Sequence, residues 1–294
     1  MNRLVISGIA AAIVNFSAPA SAASTFHLDS ATVTKIGSGP KAVILIPGLG
    51  CGPFVFDGVA DELAQRYTVY RVAFDGFDGF DGNGGGSAPY LTHDTQSVAD
   101  LISREHLVRP ILIGHSLGGH IALALAETMP ANVGAVVAID ALPLFPPRQP
   151  GQTAANRQDF AREFVAQMMS APEEQYRAFA RQSVAALVTS DTNTNLVFSH
   201  TIRSDRAAFA GAAADMMTDD LGPALKAIAA PVLVLAPSPD AATADTIGSS
   251  YRALFAGVSR LTVQTIAPAR HFLMLDQPAS FQTALDTFVD ANAR

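Results

Sequence analysis

Past residue 40, hydrophobic positions fall into two alternating rhythms. Short unbroken apolar runs rich in β-branched residues recur at KAVILIP (41–47), YTVYRVAF (67–74), RPILIG (109–114), VGAVVAID (133–140), PVLVLAP (231–237) and RLTVQTIA (260–267). Runs of this length and type predict strands buried on both faces. Between them lie segments with a 3.6-residue period. FVFDGVADELAQR (54–66) spaces Phe56, Val59, Ala60 and Leu63 as one helical face, and THDTQSVADLISREH (92–106) does the same with Val98, Leu101 and Ile102. SLGGHIALALAETM (116–129) is a run of strong helix formers stopped by Pro130, and two further helices are expected within 245–257 and from about 279. Strands alternating with helices predict an α/β protein with a mostly parallel sheet covered on both sides.

The alternation lapses between 141 and 230. LPLFPPRQPG opens this segment, and two helical stretches follow with no strand between them. One places Phe160, Phe164 and Met168 four residues apart; the other aligns Tyr176, Phe179, Ala180, Val184 and Leu187. Such stripes predict packing on the domain below. The expected organisation is a signal peptide at 1–22, a core from 23–140 and 231–294, and a helical insert at 141–230.

The first 22 residues carry Arg3, then the apolar stretch LVISGIAAAIV (4–14), then Ala20-Ser21-Ala22. A positive n-region, a short h-region and an A-x-A site in that order predict export to the periplasm or exterior with cleavage after Ala22, and no stable membrane insertion afterwards. The single cysteine, Cys51, has no internal disulfide partner, so an exported fold must rest on its core. With 49% hydrophobic residues over 294 positions, that core is affordable. The net charge of −7 and the lack of a basic run exclude nucleic acid as an expected partner.

The tract AFDGFDGFDGNGGGSAPY (73–90) repeats Phe-Asp-Gly three times. Its acids do not fall at the positions a calcium loop requires. Its glycines predict a mobile rim or lid, with Phe77 and Phe80 as apolar anchors and the aspartates solvated.

Candidate chemistry centres on Gly114-His115-Ser116-Leu117-Gly118. The pattern follows a predicted strand and opens a predicted helix, the context of a nucleophile elbow. A serine hydroxyl needs a base to act as nucleophile. Of seven histidines, His115 is the variable elbow residue, and His120 lies one turn along the same helix, out of reach. His93 and His106 sit at helix ends, His27 near the start of the mature chain and His200 in the insert. His271 follows the last strand, at the sheet edge that also carries Ser116.

The chain resembles the α/β-hydrolase superfamily. The resemblance rests on PGLG after the first buried strand, GHSLGG at the elbow and RHFLMLDQPASF near the end, and it covers nearly all of the mature chain. It implies an α/β-hydrolase fold, a mostly parallel sheet flanked by helices with a helical cap inserted after the sixth strand. It implies His271 as base and, past the strand after the insert, Asp240 as its orienting acid. Asp140 at the end of VVAID is the alternative and Asp245 a third. It implies an oxyanion hole from the amides of Leu117 and Leu49, with Gly50 as the alternative to Leu49. This chain has Pro47-Gly48 where relatives commonly have His-Gly, which touches loop placement but not a main-chain donor. The insert suggests Phe160 and Phe164, with Phe77 and Phe80, as substrate-rim residues. The implied activity is a serine esterase acting on small-molecule carboxylic esters, with no metal or organic cofactor. Alternatives are an amidase or aminopeptidase, for which Glu173 and Glu174 are candidate amine ligands, and a non-catalytic binding protein on the same scaffold.

Overall fold

The computed structural model describes residues 23–81 and 88–293. The expected signal peptide and, from the repeat tract, Gly82 and the residues through Ser87 lie outside them. Two short strands come first, β1 (Ser24–His27) and β2 (Ala31–Ile36), paired as a hairpin. They are followed by β3 (Ala42–Ile46), α1 (Asp57–Ala64), β4 (Thr68–Phe74), α2 (Tyr90–Arg104), β5 (Ile111–His115), α3 (Leu117–Thr128) and β6 (Ala135–Ile139). Four helices then run in series: α4 (Ala154–Ser170), α5 (Glu173–Leu187), α6 (Asp191–Thr201) and α7 (Arg206–Thr218). The alternation resumes with β7 (Val232–Pro237), α8 (Ala244–Leu254), β8 (Leu261–Ile266), the single turn α9 (Leu273–Asp276) and α10 (Pro278–Asn292).

The strands form one eight-stranded sheet in the order β1-β2-β4-β3-β5-β6-β7-β8. Pairing is antiparallel from β1 to β4 and parallel from there on. Successive residues of each central strand face opposite sides. Ile44, Ile46, Leu112, Val136 and Ala138 pack with α2 and α3, while Val43, Leu45, Ile111, Ile113 and Val137 pack with α1 and α10. Both faces are therefore dry, which is why these strands read as continuous apolar runs.

Strand order also locates the site. Strand β3 pairs with β4 on one side and β5 on the other, so the connections leaving β3 and β5 diverge across the sheet. A crevice opens at the C-terminal ends of strands at such a switch point. The residues following β3 and β5 are Pro47 onward and Ser116.

The Phe-Asp-Gly repeat is built rather than loose in its first two units. Phe77 N–H donates to the Phe74 carbonyl (3.2 Å), closing a turn with Gly76 at φ +82°. Phe80 N–H donates to the Phe77 carbonyl (2.8 Å), closing a second turn in which Asp78 (φ +50°) and Gly79 (φ +76°) both take positive φ. That is the type I′ pattern, for which Asp-Gly is a favoured pair. Phe77 is 1% exposed and meets Phe74 edge to face at 6.4 Å. Burial of one such ring is worth roughly 1.5–3 kcal/mol, which anchors the turns to the core. Of the aspartates expected in solvent, Asp81 is exposed, but Asp75 and Asp78 are buried. Asp75 lies 3.4 Å from His27, and Asp78 pairs with His200 and Arg203.

Candidate active site

Ser116 sits between β5 and α3 with φ +53° and ψ −117°. A non-glycine residue there is strained, and the strain is held by close packing on both sides. A Cβ at Gly114 would lie 2.1 Å from the Gly118 carbonyl oxygen, and one at Gly118 would lie 2.1 Å from the Ile46 oxygen. Only glycine at both positions lets the turn close this tightly. Ser116 N–H is fixed by the Ile139 carbonyl (2.9 Å). Leu117, directly after it, heads α3, where helix amides lack intrahelical acceptors.

His271 lies in the loop between β8 and α9, and its Nδ1 is 2.6 Å from Asp140 Oδ2. A carboxylate only accepts, so Nδ1–H donates and Nε2 is left for another partner. Asp140 directly follows β6 with φ +41°, and Tyr251 on α8 donates its hydroxyl to the other carboxylate oxygen. Burial pushes the Asp140 carboxyl up, but the His271 and Tyr251 hydrogen bonds and the His271 charge outweigh it and hold it below the usual carboxylate range. The Tyr251 phenol is pushed up, by burial first and by the neighbouring carboxylate second.

Asp240, expected as the acid, does not meet His271. It is fully exposed, and its Oδ1 accepts from the Thr243 amide (2.8 Å) and hydroxyl (2.9 Å), closing its own turn. Asp140 takes the place against His271, because positive φ at the residue directly after β6 swings its side chain across to the loop after β8. Asp245 lies in the first turn of α8, away from the histidine pair.

His115 also does more than fill the elbow. Its Nε2 is 3.1 Å from the His271 carbonyl oxygen, and the two rings are 4.5 Å apart. Burial lowers its pKa to about 3, and the His271 charge adds to this, so it is neutral and Nε2–H donates. Among the described residues nothing hydrogen-bonds to its Nδ1. Burial likewise raises the Cys51 thiol, which keeps it protonated beside the site.

The turn after β3 faces this group. Cys51 N–H donates to the Gly48 carbonyl (3.0 Å), and Gly50 takes φ +67°, giving a type II pattern with glycine at its third position. Leu49 packs on Ala161, Phe164, Ala213 and Met217 of α4 and α7.

Ser116, His271, Asp140, Leu49 and Cys51 all line one cavity of about 350 Å³, roofed by the four insert helices. Its walls are largely apolar: Phe145, Phe164, Met168, Phe179, Met216 and Phe272 contribute among others. Of the four phenylalanines expected at the rim, Phe164 lines it. Phe77 is in the core, Phe80 lies away with the turns, and Phe160 is 49% exposed on the outer side of α4. Glu173 pairs with Arg206 and Arg177, and neither it nor Glu174 lines the cavity. No motif in the sequence marks Tyr251, a lone tyrosine on an amphipathic helix.

Compared with known proteins, residues 43–282 match the model described as the alpha/beta hydrolase family. The chain belongs to that family. It is 32% identical over 174 residues to the pimeloyl-[acyl-carrier protein] methyl ester esterase of Chromobacterium violaceum, covering 57% of this chain and 64% of that one. An uncharacterized protein of Mycobacterium tuberculosis is 35% identical over 109 residues, 36% of this chain and 30% of the other. The chain thus spans 30% to 64% of these relatives' length. Among solved structures, a hydrolase from Pseudomonas aeruginosa superposes with a TM-score of 0.74 at 20% identity, covering 92% and 98% of the two chains. The enol-lactonase of Burkholderia xenovorans gives 0.71 at 17%, covering 91% and 100%. At these identities the structures share the fold, and this chain is an α/β hydrolase with an ester-cleaving relative.

Proposed function

We propose that this chain is a serine hydrolase that cleaves uncharged carboxylic esters through an acyl-enzyme. One observation carries the reading: the strained Ser116 opens into the same cavity as His271, whose Nδ1 is held by the mostly buried carboxylate of Asp140. In this scheme Ser116 Oγ attacks the ester carbonyl carbon and its proton passes to His271 Nε2. Asp140 stabilises the imidazolium, and the amides of Leu117 and Leu49 take the developing oxyanion. Collapse expels the alcohol, which leaves with the proton from His271. Water then gives a proton to His271 and its oxygen to the acyl carbon, releasing the acid and restoring Ser116.

The cavity supports an uncharged substrate. Its lining residues include no lysine, arginine or glutamate, and the one carboxylate among them, Asp140, is already taken by His271 and Tyr251. An ammonium or carboxylate inside it would lose water without gaining a partner, which is costly. The aminopeptidase alternative needs an acid at the substrate amine, and Glu173 turns to Arg206 and Arg177 instead. The test is a fluorophosphonate probe together with nitrophenyl esters. Wild type should label and turn over. Ser116→Ala should do neither while unfolding at the same temperature, with a loss of about a millionfold. Retention of more than a few per cent of turnover in the purified variant sinks the mechanism.

Export is part of the proposal and rests on Arg3, the apolar run at 4–14 and Ala20-Ser21-Ala22. Amino-terminal sequencing of protein recovered outside the cytoplasm should begin at Ala23.

A further inference from the structure

The Phe-Asp-Gly turns have no contact with the cavity, yet they are tied to it. Ser204, in the bend between α6 and α7, is 9% exposed. Its hydroxyl accepts from the Asp78 amide (3.0 Å) and donates to the Gly50 carbonyl (3.1 Å). One hydroxyl therefore joins three segments distant in sequence: the second Phe-Asp-Gly turn, the insert, and the turn that follows β3.

Each end of this link is rigid. Asp78 is 5% exposed; its carboxylate accepts from His200 Nδ1 (2.9 Å) and from Arg203. It also presses on the turn after β3, since a Cβ at Gly52 would lie 2.2 Å from Asp78 Oδ2. His200 stacks on Phe54 with ring centres 3.8 Å apart, and Asp205 N–H donates to the Gly76 carbonyl (2.8 Å). At the other end, a Cβ on Gly50 would lie 2.8 Å from the Phe209 ring, so α7 covers the turn directly.

We propose that Ser204 is a positioning residue for the oxyanion donor: by fixing the Gly50 carbonyl, it fixes the direction of the Leu49 amide. This rests on the serine-hydrolase reading above. The four residues Gly48 to Cys51 form one hydrogen-bonded turn, so holding one peptide of it holds the others. The turn has glycines at 48 and 50, with Gly52 directly after it, and is soft unless something outside it sets its orientation. An oxyanion donor is effective only when it is aimed beforehand at the place where charge develops. Ser204 supplies that aim from the insert, with the Asp78 amide keeping its hydroxyl proton directed at Gly50. The Phe-Asp-Gly repeat, on this account, is a foundation for the oxyanion turn.

Valine and threonine at position 204 have the same shape and differ only in the hydroxyl, so the comparison survives any loss of stability common to both. Ser204→Thr should stay within about threefold of wild type. Ser204→Val and Ser204→Ala should lose about tenfold in kcat with little change in KM for a short ester, less than the hundredfold or more of losing a donor outright. An alkyl trifluoromethyl ketone is the second readout. Ser116 Oγ adds to its carbonyl carbon, the hydroxyl proton passes to His271, and the resulting oxyanion occupies the hole. Its inhibition constant should rise about tenfold in Ser204→Val and follow kcat/KM across the variants. Equal behaviour of Ser204→Thr and Ser204→Val, or an unchanged inhibition constant in Ser204→Val, overturns the proposal while the hydrolase reading stands. A wild-type protein that neither labels with fluorophosphonate nor binds the ketone overturns both.

Discussion

Asp140 and Asp240 follow neighbouring parallel strands, β6 and β7, at the same edge of one sheet. Each is a carboxylate at the mouth of a strand-to-helix connection, and each is held below the usual carboxylate range. The causes separate them. Asp240 is lowered by the Thr243 amide and hydroxyl three residues on, in open water. Asp140 is lowered against an opposing burial cost by groups from two other elements, His271 after β8 and Tyr251 on α8. A local partner makes a turn, whereas distant partners converging on a buried carboxylate make a candidate for chemistry.

The comparison can be broken by substitution. Asp140→Asn should have the largest effect, about 10⁴ in kcat, because the amide no longer holds the required histidine tautomer. Stopped assays with a nitrophenyl ester measure it, and an active Asp140→Asn beside a dead Asp240→Asn would restore Asp240 as the acid. Tyr251→Phe comes next. It leaves one oxygen of a buried carboxylate without its donor, so Asp140 becomes more basic and favours imidazolium at His271. We expect about a tenfold loss in kcat/KM and an acid limb shifted to higher pH, read from the pH–rate profile.

Stability should follow the same division. A carboxyl whose folded pKa is depressed contributes stability that is present above its unfolded value, near 3.9, and is lost as pH falls through the folded value. Wild type should therefore lose an advantage over Asp140→Asn below about pH 4, seen in urea midpoints taken across that range. Asp240→Ala should show the smallest effect, with kcat/KM within about twofold of wild type, because exposed substitutions away from the site act weakly. A loss of a hundredfold there would mean that its turn supports the His271 loop.

What the sequence disclosed follows from burial. The five strands β3 to β7 lie where the sheet is covered on both faces, so their apolar runs are unmistakable, while β8 at the edge shows as an alternation of apolar and polar residues. Strands β1 and β2 carry no such signal, because STFH and ATVTKI are half-exposed hairpin strands carrying Thr, Ser and Lys. Helix α7 escaped for the opposite reason: RAAFAGAAADMMT is Ala-rich and buried on several sides, so no stripe stands out, while α6 (DTNTNLVFSHT) is largely polar. Ser116 and His271 are legible from local context. The choice between Asp140 and Asp240 is not, since it depends on positive φ at a single residue and on which loop lies across from it. The repeat misled in a similar way. Glycine beside aspartate suits a mobile segment, but the same pair is what a tight turn requires at 78–79, and Phe77 is buried in the core.

His120, one turn beyond the nucleophile on α3, faces the Leu142 carbonyl through Nδ1 (3.0 Å) and the Asp219 carboxylate through Nε2 (2.9 Å). Those two residues are where the chain leaves the sheet for its four extra helices and where it comes back. The departure and the return are thus stapled to each other, and to the core, by one side chain. A segment whose ends are already pinned together can be exchanged for one of different length at little entropic cost to the rest, since closure entropy rises only slowly with loop length. The chain is in this sense divided into a chassis and a replaceable cassette, with the joint at His120. Grafting the segment between Leu142 and Asp219 onto a relative, with the histidine carried along, would transfer the roof of the cavity as a unit.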